Sequence, residues 1–173
     1  AQAREIHDQV RYVEDGLLIA EHGKITWFGD WQSGQAHLPA GVQVKHYPGQ
    51  LIVPGFIDTH IHFPQTEMIG AYGEQLLEWL NTYTFPTEMQ FADPAYAQKI
   101  AQFFVQELLK NGTTTALVFC TVHPQSVDAL FAAAEQHQMR LIAGKVLMDR
   151  NAPEGLCDSA DSAYSDSRQL IEK

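Results

Sequence analysis

From Val53 onward the chain alternates strand-like and helix-like stretches, and that order limits the fold more than any other feature. Alternating strands and helices are the pattern of a parallel sheet whose strands are joined by helical crossovers. "LIVPGFIDTHIHFPQ", Leu51 to Gln65, opens as a strand with Leu51, Ile52 and Val53, is punctuated by Pro54-Gly55, and resumes at Phe56 and Ile57 into the first barrel strand. "EQLLEWLNTY", Glu74 to Tyr83, reads as a short helix. The clearest helix follows in "DPAYAQKIAQFFVQELLKNG". Asp93 suits its N-cap and Pro94 its first turn. Ala97, Ile100, Ala101, Phe104 and Leu108 make one apolar stripe, and Asn111-Gly112 stops the helix.

A buried strand, "TTTALVF", comes directly after. A second helix is expected from Pro124 to about Gln138, with Val127, Leu130, Phe131 and Ala134 as its apolar positions. "LIAGKVLM", Leu141 to Met148, reads as a third buried strand, and a last helix is expected over Ser162 to Lys173. A closed barrel needs eight such units and about 250 residues. No glycine-rich phosphate loop follows any strand, which argues against a nucleotide-binding open sheet. The fold class is therefore α/β, with residues 53–173 holding the first three units of a TIM-like (β/α)8 barrel.

The first 52 residues read differently. Leu17–Ala20 and Ile25–Phe28 flank a tight turn at His22-Gly23, the mark of a hairpin. "GVQVKHY", Gly41 to Tyr47, alternates like another strand. Residues 1–52 are taken as part of a small β domain. The chain starts at Ala1 and stops at Lys173 inside a helical pattern, so it is expected to be a piece of a longer polypeptide.

Side chains alternate faces along a strand, so Phe56, Asp58, His60 and His62 share one side, while Thr59 and Ile61 turn toward the helices. The two histidines come last, at the C-terminal mouth where barrel enzymes keep their sites. Paired neutral imidazoles suit a divalent metal such as zinc or iron. With 8 histidines in 173 residues, chance yields roughly 0.4 His-x-His pairs, so context carries the assignment. Here the pair extends an apolar run, and a polar cluster on a core face is costly unless it is compensated. Asp58 is positioned to accept from a ring N–H and orient one histidine from behind.

Other candidates stay open. His123 follows the second strand and either lines the same mouth or bonds to a loop, the commoner role. Lys145, read within the third strand, either faces the barrel or is buried against an acid such as Asp149 or Asp58. Trp79 either walls a pocket or packs in a helix core. His7, His22, His37, His46 and His137 read as surface residues. A catalytic metal site takes about three protein ligands, so two histidines leave the set incomplete.

Composition narrows the partners. The net charge of −10 disfavours nucleic acid, whose phosphates need clustered Lys and Arg. No apolar stretch approaches the roughly 18 residues of a membrane span. Cys120 and Cys157 form no framework spacing, which fits a reducing, cytoplasmic setting.

"PGFIDTHIH" resembles the first barrel strand of the amidohydrolase superfamily. "DTHIHFPQ", "LLEWLNTYTFPTE", "LKNGTTTALVF", "TVHPQSVDALF" and "GKVLMDRNAP" together are similar to the bacterial guanine deaminase family, from Leu51 to about Pro153. The resemblance implies a small β-sandwich built from both chain ends beside an eight-unit barrel. It implies one zinc per subunit, held by His60 and His62 with a further His and Asp from later strands, and a later Glu as proton shuttle. His62, Phe63, Pro64 and Gln65 match the segment that contacts substrate, with Gln65 matching the purine-reading amide. The implied reaction is hydrolytic deamination of guanine: water replaces the amino group at C2, giving xanthine and ammonia. A homodimer is the expected assembly, and this stretch by itself is expected to be inactive. The rival expectations are a sister amidohydrolase acting on another heterocycle, such as a triazine, cytosine or a modified adenosine, and a non-catalytic metal-binding domain on the same scaffold.

Overall fold

The computed structural model describes residues 10–73 and 75–173, so His7 and Glu74 lie outside the described residues. The chain divides into two compact units, Ala1–Ile52 and Val53–Lys173.

In the first unit, β1 (Gly16–Glu21) and β2 (Lys24–Asp30) form an antiparallel hairpin, with Glu21 opposite Lys24. His22 and Gly23 both take positive φ, 51° and 75°. Such a pair gives a two-residue turn the twist its flanking strands require. Leu17 and Ile19 are buried. A short helix, α1 (Trp31–Gly34), starts where Asp30 accepts from the Gln32 and Ser33 backbone N–H groups.

The strand expected over Gly41 to Tyr47 does not form. Gly41 and Gly49 turn the backbone at both ends with positive φ. Among the described residues no strand pairs with this stretch, and Val42 and Tyr47 lie exposed. Alternation alone cannot make a strand without a ladder partner.

The second unit is built on a three-stranded parallel sheet, ordered β3 (Phe56–His62), β4 (Thr113–Phe119) and β5 (Arg140–Gly144). β3 begins at Phe56 and not at Leu51. Leu51, Ile52 and Val53 stay exposed, and Pro54 has no N–H to give a ladder.

Between β3 and β4 the chain runs through α2 (Leu76–Trp79), a wide π-helical turn over Leu80–Thr84, and α3 (Phe85–Met89). The helix expected to end at Tyr83 thus continues with a change of pitch. Pro86 has no N–H, and its ring would crowd the carbonyl four residues back. The Phe85 N–H reaches instead to the Leu80 carbonyl, five residues back.

α4 (Pro94–Lys110) agrees with its pattern. Asp93 caps it through the Ala95 N–H at 2.9 Å, and Gly112 leaves it with φ 84°. β4 leads into α5 (Pro124–Gln136), where Gln138 at φ 54° ends the helix slightly early. Phe131, expected in the core, is largely exposed, whereas Val127, Leu130 and Ala134 are buried.

β5 stops at Gly144, four residues before the expected end, and like β3 it is an edge strand of the described sheet. Its Ile142 is exposed and so is Leu147 beyond it, so this is not the buried strand expected. α6 (Ala160–Glu172) starts from a capping box between Ser159 and Ser162.

One side of the sheet carries the core. Ala116 and Val118 of β4 and Ile61 of β3 meet Phe104, Val105, Val127 and Leu130 of α4 and α5. By alternation Leu117 and Phe119 lie on the other side with His60 and His62.

Candidate metal centre

β3 and β4 are out of simple register between Asp58 and Ile61. That irregularity frees backbone groups near His60, and the Asp58 side chain takes one of them: Oδ1 accepts from the His60 backbone N–H at 3.0 Å. Asp58 was expected to hold an imidazole by its ring N–H. Its carboxylate instead repairs the strand beneath the histidines, because a bulge leaves an N–H that needs an acceptor.

Above that repair the two rings converge. His60 Nε2 and His62 Nε2 lie 3.3 Å apart, with ring centroids separated by 5.4 Å. Two nitrogens bound at about 2.0–2.1 Å to one tetrahedral ion stand about 3.3–3.4 Å apart. The pair is thus spaced as two of the corners around such an ion. Burial, and then the nearby His60, push the His62 pKa down, which keeps its ring neutral and its lone pair available. Among the described residues no third His, Cys, Asp or Glu completes a cluster. The donors fit a metal as a partial set.

Phe119, at the end of β4, packs on both rings. Its centroid is 4.8 Å from that of His62, nearly parallel at 12°, and 5.2 Å from that of His60. The strand register sets this directly, since His62 pairs with Phe119. Sequence reasoning did not find Phe119. Its position at the end of an alternating strand was a usable signal, but which histidine it would meet depends on register.

The segment after β3 folds into a 3-10 turn over Phe63–Met68. Phe63 was expected to contact substrate, but its ring is wholly buried in the core, edge-on to Phe91 at 5.0 Å. Pro64 is also fully buried. These two apolar groups anchor the turn, since exposing them would forfeit their burial. Gln65 is left half-buried beside the histidines, with Nε2 3.4 Å from His62 Nδ1.

Glu88 of α3 is a second residue that sequence reasoning missed, although it lies in the quoted "YTFPTE" stretch. It is 7% exposed. Burial raises its pKa to about 7, partly offset by a hydrogen bond from the Gln65 side chain. Thr84, one helical turn earlier, is buried with its hydroxyl unpartnered.

The remaining candidates have other partners. Trp79 donates its Nε1–H to the Ala71 carbonyl at 3.2 Å and lies against Gly73, where a Cβ would come within 2.2 Å of its ring. His123 Nδ1 is 3.0 Å from Thr121 Oγ1, and its Nε2 is 3.1 Å from the Gly155 carbonyl, a loop-tying arrangement. Burial lowers its pKa. Lys145 lies just past β5 with its side chain 1% exposed. It pairs with Asp158 at 2.8 Å and Asp166 at 3.6 Å, so neither expected acid, Asp149 or Asp58, is its partner. Cys120 is a core residue whose thiol is pushed up to about 12 by burial, and both cysteines are free.

The fold and the site define an α/β protein with a converging histidine pair at the C-terminal end of a parallel strand, spaced as two corners around one tetrahedral ion. The Amidohydrolase family model matches residues 51–173, and the chain belongs to that family. It is 60% identical to the guanine deaminase of Escherichia coli strain K12 across 98% of its own length, though it spans only 38% of that protein. The solved E. coli guanine deaminase superposes with a TM-score of 0.89 at 62% identity, over 94% of this chain and 38% of that one. The guanine deaminase from C. acetobutylicum, solved with guanine bound in its active site, gives 0.78 at 31% identity over 90% of this chain and 36% of that one. The atrazine chlorohydrolase of Arthrobacter aurescens, solved with zinc, shares the fold at a TM-score of 0.73 and 19% identity over 96% and 40%. No helix among the described residues is long and apolar enough to cross a membrane.

Proposed function

We propose that the complete protein hydrolyses guanine to xanthine and ammonia at one zinc ion per subunit. The observation that carries this reading is the pair of Nε2 atoms 3.3 Å apart, with the Gln65 amide beside the second ring. Identity of 60% to a guanine deaminase supports the substrate. A zinc-bound structure of the same fold supports the ion.

In this reading residues 53–173 are the first three units of an eight-unit barrel, and residues 1–52 are part of a small β-sandwich. His60 and His62 hold zinc, which supplies an activated water at neutral pH when bound. Asp58 keeps β3 in the shape that aims His60. Phe119 covers both rings and excludes water from one side of them. Gln65 offers an amide donor and acceptor to the purine edge. Phe63 and Pro64 hold that amide in place from below. Trp79 and His123 tie nearby loops through their bonds to the Ala71 and Gly155 carbonyls. The remaining ligands and the proton-transferring carboxylate come from the rest of the polypeptide. The protein acts in the cytoplasm as a homodimer.

Ammonia release from guanine, adenine and cytosine by the complete polypeptide tests this. Release from guanine alone, lost on chelation and restored by zinc, is the expected result. Zinc binding with no release from any of the three would overturn it in favour of a sister hydrolase or a metal-binding domain.

A further inference from the structure

The 3-10 turn Phe63–Met68 sets where Gln65 stands. The Gln65 side chain does little to place itself: its amide nitrogen is 3.4 Å from His62 Nδ1, long for a hydrogen bond. The backbone beneath it has to do the placing, and that backbone is held at both ends. At the first end the Phe63 ring lies edge-on to Phe91 at 5.0 Å and 5.5 Å from Phe104 of α4. At the far end Glu67 Oε2 accepts from the Tyr96 hydroxyl of α4 at 2.7 Å. Between them the Thr66 hydroxyl donates to the Phe63 carbonyl at 2.6 Å and closes the turn on itself.

Tyr96 belongs to both ends. Its ring is edge-on to Phe91 at 5.0 Å and 83°, and Phe91 is the ring that backs Phe63. Its hydroxyl reaches back 29 residues in sequence to Glu67. Burial, and then the bond to Glu67, push its pKa up, so the phenol keeps the proton it donates. A short bond to a carboxylate is among the stronger kinds. Lys99 Nζ is 3.7 Å from the other Glu67 oxygen, but both side chains are exposed, and such a pair contributes little. The helix that carries Tyr96 is capped by Asp93 and seated in the core, which makes it a firm support.

We propose that Tyr96 is a positioning residue for purine recognition: by holding Glu67 and backing Phe91 against Phe63 it fixes the turn, so that the Gln65 amide meets the ring edge in one place. Tyr96 acts through the turn and not on the reacting atoms. A reading group displaced by about 1 Å can cost as much as about 100-fold in rate. The inference rests on the guanine reading above.

The test uses the complete protein and three readouts: ammonia release from guanine, zinc affinity by chelator competition, and amide hydrogen exchange over Phe63–Met68. Tyr96→Phe keeps the ring contact with Phe91 and removes only the hydroxyl. It is expected to lower kcat/KM by about tenfold, chiefly through KM, and to leave zinc affinity within about twofold. Exchange in the turn should quicken by about tenfold while the interior of α4 is unchanged, as when a bond to a charged group is lost. Glu67→Ala should do the same, and the double variant should be no worse than either single, because the two residues share one bond.

In a Gln65→Ala background Tyr96→Phe should change kcat/KM by less than about twofold. Losses that simply add there would leave Tyr96 a purely structural role and overturn the proposal, as would parental KM or parental exchange of the turn in Tyr96→Phe. Glu67→Gln keeps an acceptor oxygen and should stay within about threefold of the parent; a tenfold loss in it would also count against the proposal. If the parent releases no ammonia from guanine, the guanine reading fails on its own, and the exchange measurement still decides whether Tyr96 fixes the turn.

Discussion

Phe119 and His62 are stacked 4.8 Å apart at 12°, because parallel pairing of their strands sets them side by side. An aromatic face there restricts the histidine ring and shields it from water. Aromatic pairs of this kind contribute about 0.5–1.5 kcal/mol beyond simple burial. Phe119→Ala in the complete protein is therefore expected to weaken zinc binding by about two- to tenfold. Chelator competition measures it, and unchanged affinity would mean the stacking is incidental.

His62→Ala removes one of the two converging nitrogens. Loss of both zinc and activity is the expected outcome in the complete enzyme. Elemental analysis checks it, and a full complement of zinc in the variant would remove His62 from the ligand set.

Gln65→Ala keeps both imidazoles. At saturating zinc the variant should retain the ion while guanine binding weakens. Steady-state kinetics against zinc content separates the two effects, and wild-type KM and kcat would show that Gln65 does not read the purine.

Glu88 carries a stability signature of its own. Its folded-state pKa, about 7, lies above its ordinary value of 4.5. Between those values the folded chain holds a proton that the unfolded chain has released. The stability linked to Glu88 is thus fully present below pH 4.5 and is lost as pH rises through 7, a loss of about 2–3 kcal/mol. Glu88→Gln should flatten this slope, and denaturant unfolding at pH 5 and pH 7.5 would measure the difference. An equal slope in the variant would mean that the carboxyl group is already ionised in the folded state.

Leu130 sits at the centre of the helix–sheet core, fully buried. Leu130→Ala is expected to cost about 2–5 kcal/mol through lost burial and a residual cavity. Denaturant melts read this directly, and a cost well under 1 kcal/mol would mean that the core closes around the gap.

The long periodic elements were legible. α4 announces itself by an N-cap, a proline and a spaced apolar stripe, all local signals, and the His-x-His pair stands out at the end of a strand. The errors have a common origin. Gly41 to Tyr47 alternates correctly but pairs with no strand among the described residues. Leu141 to Met148 is apolar throughout, yet β5 pairs on one side only and ends at Gly144. Phe131 lies on the apolar side of its helix by pattern and still faces outward, because the neighbouring surface decides what it meets.

By itself the sequence determined the order of strands and helices, the shared face of His60 and His62, and the family, since these depend on periodicity and on residues adjacent in the chain. Only the tertiary structure placed Phe119 on the histidine rings, turned Phe63 into the core, tied Asp58 to the backbone, and brought Glu88 to Gln65. Those relations join residues distant in sequence, or side chains with several possible partners. Strand register, the bulge in β3 and the packing of α3 on the 3-10 turn choose among them, and each of these depends on the whole unit having folded.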